Sequence, residues 1–158
     1  MTGRNDTVRE PTDDEHQRFV RYLRELAVVG QEDEVGLVRR VLRDPDEVMA
    51  QSAVGCHLDR RATQLLTDAG FPGWADAMAT VVGEKEFLIR RLHEWILMRS
   101  IAMGGPLTAE ELVAASDWFQ RTAAQMLTSR AALGLLASKG RTRRVRATAS
   151  LRLAKQHQ

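Results

Sequence analysis

Four histidines, one cysteine and a run of cations are the side chains in this sequence whose types could support chemistry. The histidines, His16, His57, His93 and His157, are scattered singly. None belongs to H-E-x-x-H, and no glutamate precedes a histidine by three positions, the spacings that set two ligands on one helix face. His57 beside Cys56 and His93 beside Glu94 are adjacent pairs, and adjacent side chains diverge on a helix. The histidines therefore read as solvated or core residues, and no metal site is expected. A single cysteine makes neither an internal disulfide nor a thiolate cluster. On a stripe with Met49 and Ala53, Cys56 reads as a small buried hydrophobe. Gly104-Gly105 lacks the flanking pattern of a phosphate-cradling loop and reads as a helix break. No catalytic residue and no cofactor is expected.

The strongest functional signal is cationic. Lys139, Arg141, Arg143, Arg144 and Arg146 fall within eight residues, and a helix is expected to begin at about Arg143. Arginine forks suit carboxylates and phosphates, and a helix N-terminus adds amide donors and a favourable dipole. The segment belongs to a wider asymmetry: residues from Trp118 onward hold nine basic and no acidic residues, whereas residues 1–117 hold 14 basic and 21 acidic. The net charge of +2 thus conceals opposite fields at the two ends of the chain. An acidic protein partner or self-association suits such a segment, and so do nucleic-acid phosphates. A solvated face, or pairing with the acidic part of the same chain, is the non-functional alternative. Against nucleic acid, no aromatic residue lies after Phe119, so the segment carries no base-stacking platform. Arg143 and Arg146 are expected to act together, with Arg144 pointing partly elsewhere beside an inward Val145. Trp74, Trp95 and Trp118 fall on three separate helical segments. Trp95 reads as core, and Trp118, beside Phe119, as the tryptophan most open to an interface.

The elements that must position these residues are helical. No alternating run of strand length occurs, and no Asn-Gly or Asp-Gly hairpin turn. Residues 1–11 are expected to be a flexible tail and 12–158 one all-helical domain. Thr12-Asp13-Asp14-Glu15 and Thr108-Ala109-Glu110-Glu111 read as capping boxes. In Asp44-Pro45-Asp46-Glu47, Asp44 is the expected cap, with Pro45 at the first helical position. The helix behind it is expected to bury Val48, Met49, Ser52, Ala53 and Cys56, and continues to Gly70 as one helix or two. Further helices are expected from Pro72 to Gly83, from Glu84 to Met103 with Phe87, Leu88, Leu92, Trp95 and Ile96 inward, and behind Thr108 through Ser116, Phe119, Ala123 and Met126. Ser129 and Thr142 cap the last two, on either side of Gly140. Eight or nine helices joined by short turns make antiparallel neighbours.

The segment Leu37-Val38-Arg39-Arg40-Val41-Leu42-Arg43-Asp44-Pro45-Asp46-Glu47-Val48 resembles a HEAT repeat, in which a first helix ends at an Asp-Pro turn and a second begins with Val followed by Ala. Here Val48 precedes Ala53. A looser match runs from Leu133 through Ala137 to Val145, Arg146 and Ala149, with Gly140 in place of Asp-Pro. The resemblance covers about a third of the chain and implies a protein- or nucleic-acid-binding scaffold built from stacked hairpins.

The fold expected is all-α, an irregular helical bundle or short HEAT-like stack of antiparallel hairpins. The function expected is a non-enzymatic protein-interaction or adaptor module, with a nucleic-acid-binding regulator as the alternative. No uncharged apolar stretch approaches the ~20 residues of a membrane span, and the first six residues lack the apolar core of a secretory leader. A cytoplasmic setting fits both, and fits the lone cysteine.

Overall fold

A computed structural model describes residues 11–158, with side chains described from Asp14 onward. Among these residues there are nine helices and no strand, and 77% of them are helical. In order they are α1 (Pro11–Val28), α2 (Glu34–Val41), α3 (Glu47–Leu65), α4 (Phe71–Val82), α5 (Glu86–Ala102), α6 (Ala109–Ala114), α7 (Asp117–Met126), α8 (Arg130–Lys139) and α9 (Arg143–Gln156). The expected tail over residues 1–11 lies outside the described residues except for Pro11, which already opens α1. Thr12 is therefore inside the first turn of α1 and not before it.

Packing alternates along the chain. α3 lies between α1 and α5, while α2 packs on α4, so every second helix shares a row. The same step recurs later, α6 on α8 and α7 on α9, with α8 and α9 closing as a tight hairpin. One core runs through the rows: Leu26 of α1, Val38 of α2, Leu58 of α3, Met78 of α4, Leu92 of α5 and Phe119 of α7 are all essentially inaccessible to water. Each such side chain contributes about 1.5–3 kcal/mol relative to exposure.

Several helix starts follow the sequence. Thr108 and Glu111 form the reciprocal capping box of α6, and Ser129 and Thr142 accept from the amides of Ala132 and Val145. At Gly140 the turn between α8 and α9 is too close for a side chain. A Cβ there would lie 2.6 Å from the Leu136 carbonyl oxygen and 2.8 Å from Val145.

Other expectations are corrected. Asp46, not Asp44, caps α3, accepting from the Met49 amide at 3.0 Å, so Pro45 precedes the cap. Asp44 is occupied elsewhere. Its carboxylate accepts from Tyr22 Oη at 2.7 Å, the Asp46 amide at 2.9 Å and Arg18 Nε at 3.0 Å, tying α1 to the α2–α3 turn. Burial opposes its ionisation, but these three donors hold the Asp44 carboxyl below its usual range. The segment from 45 to 69 contains one helix, which ends at Leu65. Its buried face is rotated from the expected one. Val48 is 80% exposed and Cys56 is exposed, while Ala50, Val54 and His57 are buried. The reason is that α3 is enclosed by α1, α2 and α5 together, and His57 finds polar partners inside. On α5, Phe87 and Ile96 are likewise about half exposed. The segment behind Thr108 breaks in two, because Ser116 turns outward from the helical path to cap α7, accepting from the Phe119 amide.

Replacing Asp46 by Ala removes the side chain that accepts from the Met49 amide at the start of α3. A fall of a few degrees in Tm is expected, the usual consequence of losing a cap. A melting curve superimposable on wild type would show that α3 does not depend on this cap.

Candidate interaction surface

The basic segment divides into cations used inside the molecule and cations left facing out. Buried Gln120 of α7 donates from Nε2 to the Leu112 carbonyl at 3.0 Å and accepts the Arg141 backbone amide on Oε1 at 2.8 Å. That fixes the turn of the α8–α9 hairpin against α6 and α7. The Arg141 guanidinium then folds back. It pairs with Asp117 and donates to the carbonyls of Val113 at 3.0 Å and Ala115 at 2.8 Å. These carbonyls lie at the end of α6, where a helix leaves acceptors without partners. Arg146 donates to the Gly140 carbonyl at 2.6 Å, and Arg152 to the Ala124 carbonyl at 2.8 Å. Arg141 and Arg146, expected to bind a partner or phosphates, are thus engaged as internal cross-links. Arg146, expected to act together with Arg143, bends toward the preceding turn, whereas Arg143 is exposed.

Lys139, Arg143 and Arg144 are exposed and form no ion pair among the described residues. Arg144 lines a groove of about 230 Å³ between α7 and α9. Trp118 and Arg121 form its other wall, Gln125, Thr122 and Thr148 supply hydroxyl and amide groups, and Ala124 and Val145 form the floor. No carboxylate lines it. The structure therefore brings together two expected site residues, Trp118 and Arg144, and adds Arg121. Arg121 was visible in the sequence as one of the nine late cations. Its spacing of three from Trp118, with Gln125 four further on, is the pattern of one helix face.

Trp118 is packed against two other side chains. Its ring meets Trp95 edge-on, with centroids 5.3 Å apart at 66°, and the Arg91 guanidinium lies 3.8 Å from its centroid. Arg91 is itself aimed by Asp59, whose carboxylate accepts from Arg91 Nη1 at 2.6 Å and from Trp95 Nε1 at 2.8 Å. One face of the indole is therefore covered by a guanidinium, which leaves little ring surface for a stacked base.

A second polar cluster lies away from this surface. Glu34, 3% exposed, accepts from His57 Nε2 at 2.6 Å, Arg61 Nε at 2.9 Å and Trp74 Nε1 at 3.2 Å. Arg60 donates to His57 Nδ1 at 2.9 Å and to the Leu26 carbonyl at 2.6 Å. Arginine only donates, so Nδ1 must accept and the imidazole proton belongs on Nε2. Burial pushes the Glu34 carboxyl up, but the His57, Arg61 and Trp74 donors outweigh it and hold the carboxyl at about 2. Every polar atom of His57 is turned to an internal partner and the side chain is inaccessible, so the pair joins α2, α3 and α4 and offers a substrate nothing. Asp59, the carboxylate next to Arg60 and Arg61 in sequence, is taken by Arg91 and Trp95, while Arg61 pairs with Glu34.

Among the described residues no three His, Cys, Asp or Glu side chains converge as metal ligands, and no helix is long and apolar enough to cross a membrane. No protein-family model, curated protein or solved structure matches this chain.

Proposed function

We propose that this protein is a non-enzymatic helical interaction module that binds an acidic protein partner through the α7/α9 face, in a cytoplasmic setting. The observation that carries the reading is the cation arrangement: Arg121 and Arg144 flank a groove with no carboxylate in it, beside exposed Arg143. Charged groups normally find partners or bulk water, and two guanidiniums beside one apolar-floored groove favour an incoming carboxylate. The alternation of helices into rows supports the HEAT-like reading of the scaffold, whose surfaces serve binding. Two observations weigh against the nucleic-acid alternative. Arg141 and Arg146 are spent on internal carbonyls, and the one aromatic in the groove is covered by Arg91.

The test is a titration of the protein with a glutamate-rich peptide and, separately, with random duplex DNA at several salt concentrations. The peptide is expected to bind and DNA to show negligible affinity at moderate salt. Arg121→Ala with Arg144→Ala should weaken peptide binding by about tenfold or more. DNA binding with a steep salt slope, lost in the same double variant, would favour phosphates as the true ligand. Equal peptide affinity of variant and wild type would remove the groove from the reading.

A further inference from the structure

A second groove, of about 440 Å³, lies between α5 and α6 and differs in character from the first. Its walls are mainly apolar, from Ile89, Leu97, Ala114 and Ala115; Glu86 and Glu111 stand against Arg90, His93 also lines it, and the buried Glu94 carboxylate is taken by the Ser116 amide and hydroxyl. It is an apolar trough with net negative charge, and no element among the described residues covers it.

α9 presents the complementary surface. Its outward face carries Arg144, Ala147, Leu151, Ala154 and Lys155, all exposed, with Leu151 60% exposed at the centre. Two small residues flank one leucine, and a cation stands at each end. Residues spaced like these share one helical face. The dimensions agree as well. The trough is lined along α5 from Glu86 to Leu97, and the α9 face runs from Arg144 to Lys155. Both spans are eleven residue steps, about 16 Å of helix.

We propose that the exposed face of α9 docks into the α5/α6 trough of a second copy of this chain, joining molecules head to tail. The inference rests on reading α9 as a contact face, and names the acidic partner as another copy's trough. Leu151 enters between Ile89 and Leu97, while Arg144 and Lys155 reach the carboxylates at the edges. Because the two faces differ, the contact is heterologous and each complex leaves one trough and one α9 face unfilled, so assembly grows with concentration.

Sedimentation velocity over a concentration series tests this. Wild type is expected to pass from monomer to larger species as concentration rises toward millimolar, less so in high salt. Ala114→Trp fills the trough from an exposed position, and Leu151→Asp spoils the α9 face, also from an exposed position. Each variant alone should associate at least about tenfold more weakly than wild type. Mixed together, they should form a 1:1 complex that grows no further, because one supplies an intact α9 and the other an intact trough. Arg144→Glu serves as a second α9 variant, with circular dichroism confirming that each variant is folded. A wild type that stays monomeric near millimolar overturns the proposal, as does a mixture of folded variants that forms no complex. The glutamate-rich peptide titration with Ala114→Trp separates the two readings. Binding of the peptide without self-association leaves the α7/α9 reading standing and removes only the second copy as partner.

Discussion

Glu34→Ala is expected to lower stability by about 3–5 kcal/mol, the cost of breaking a buried ion pair from one side. The substitution leaves the His57 Nε2 proton, the Arg61 guanidinium and the Trp74 indole N–H without their shared acceptor inside the helical stack. Glu34→Gln keeps the shape and one acceptor oxygen and should cost less. The glutamine variant also isolates a pH effect. Glu34 sits at about 2 in the folded protein, below its ordinary value of 4.5. A carboxyl with a depressed folded-state pKa contributes stability that is fully present above its unfolded value and is lost as pH falls toward the folded one. Wild type should therefore lose stability between about pH 4.5 and 2 through this group, and Glu34→Gln should lack that component. Urea melts of the two proteins at pH 6 and pH 3 provide the comparison. Parallel losses in both would mean that Glu34 is not held ionised by its three donors.

Asp59→Ala is expected to destabilise by about 2 kcal/mol, because a buried indole N–H loses its acceptor and a guanidinium loses its counter-ion. Trp95 is 1% exposed, and its Nε1 proton is donated to Asp59. The same change releases Arg91 from its position over Trp118. Tryptophan emission should then shift together with Tm, and peptide binding at the α7/α9 groove should weaken although Asp59 is not among the groove's lining residues. Asp59→Asn, which retains one acceptor for Trp95, should recover part of the stability and little of the Arg91 placement. An unchanged emission spectrum in Asp59→Ala would show that Trp118 is oriented without this chain of contacts.

These two effects are large for the same reason that they were hard to anticipate. Glu34 lies 23 residues from His57 and 40 from Trp74, and Asp59 lies 32 from Arg91. The local pattern of either carboxylate is that of an ordinary helix residue on a solvated face. In α3, His57, Arg60 and Arg61 share a turn, but the sequence offers His57 only as a lone solvated or core residue, since nothing local to α3 names a glutamate at the start of α2.

The all-helical fold was determined by the sequence itself, as were many of its boundaries. Caps and stops act over three or four residues, so Thr108, Ser129, Thr142 and the tight turn at Gly140 can be read without knowing any neighbour. The concentration of cations after Asp117 was also readable from composition. Tertiary structure decided which faces are inside and which cations are free. Periodicity sets the spacing of apolar residues but not the rotation of a helix enclosed on three sides, so α3 exposes Val48 and Cys56 and buries Ala50 and Val54. It likewise turns Asp44 into a tie to α1 and leaves the cap to Asp46, because Arg18 and Tyr22 arrive from another helix. In the basic segment, the end of α6 happens to present unpartnered carbonyls within reach of Arg141. That approach of distant backbone, invisible to local spacing, separates an internal cross-link from the outward cation at Arg144.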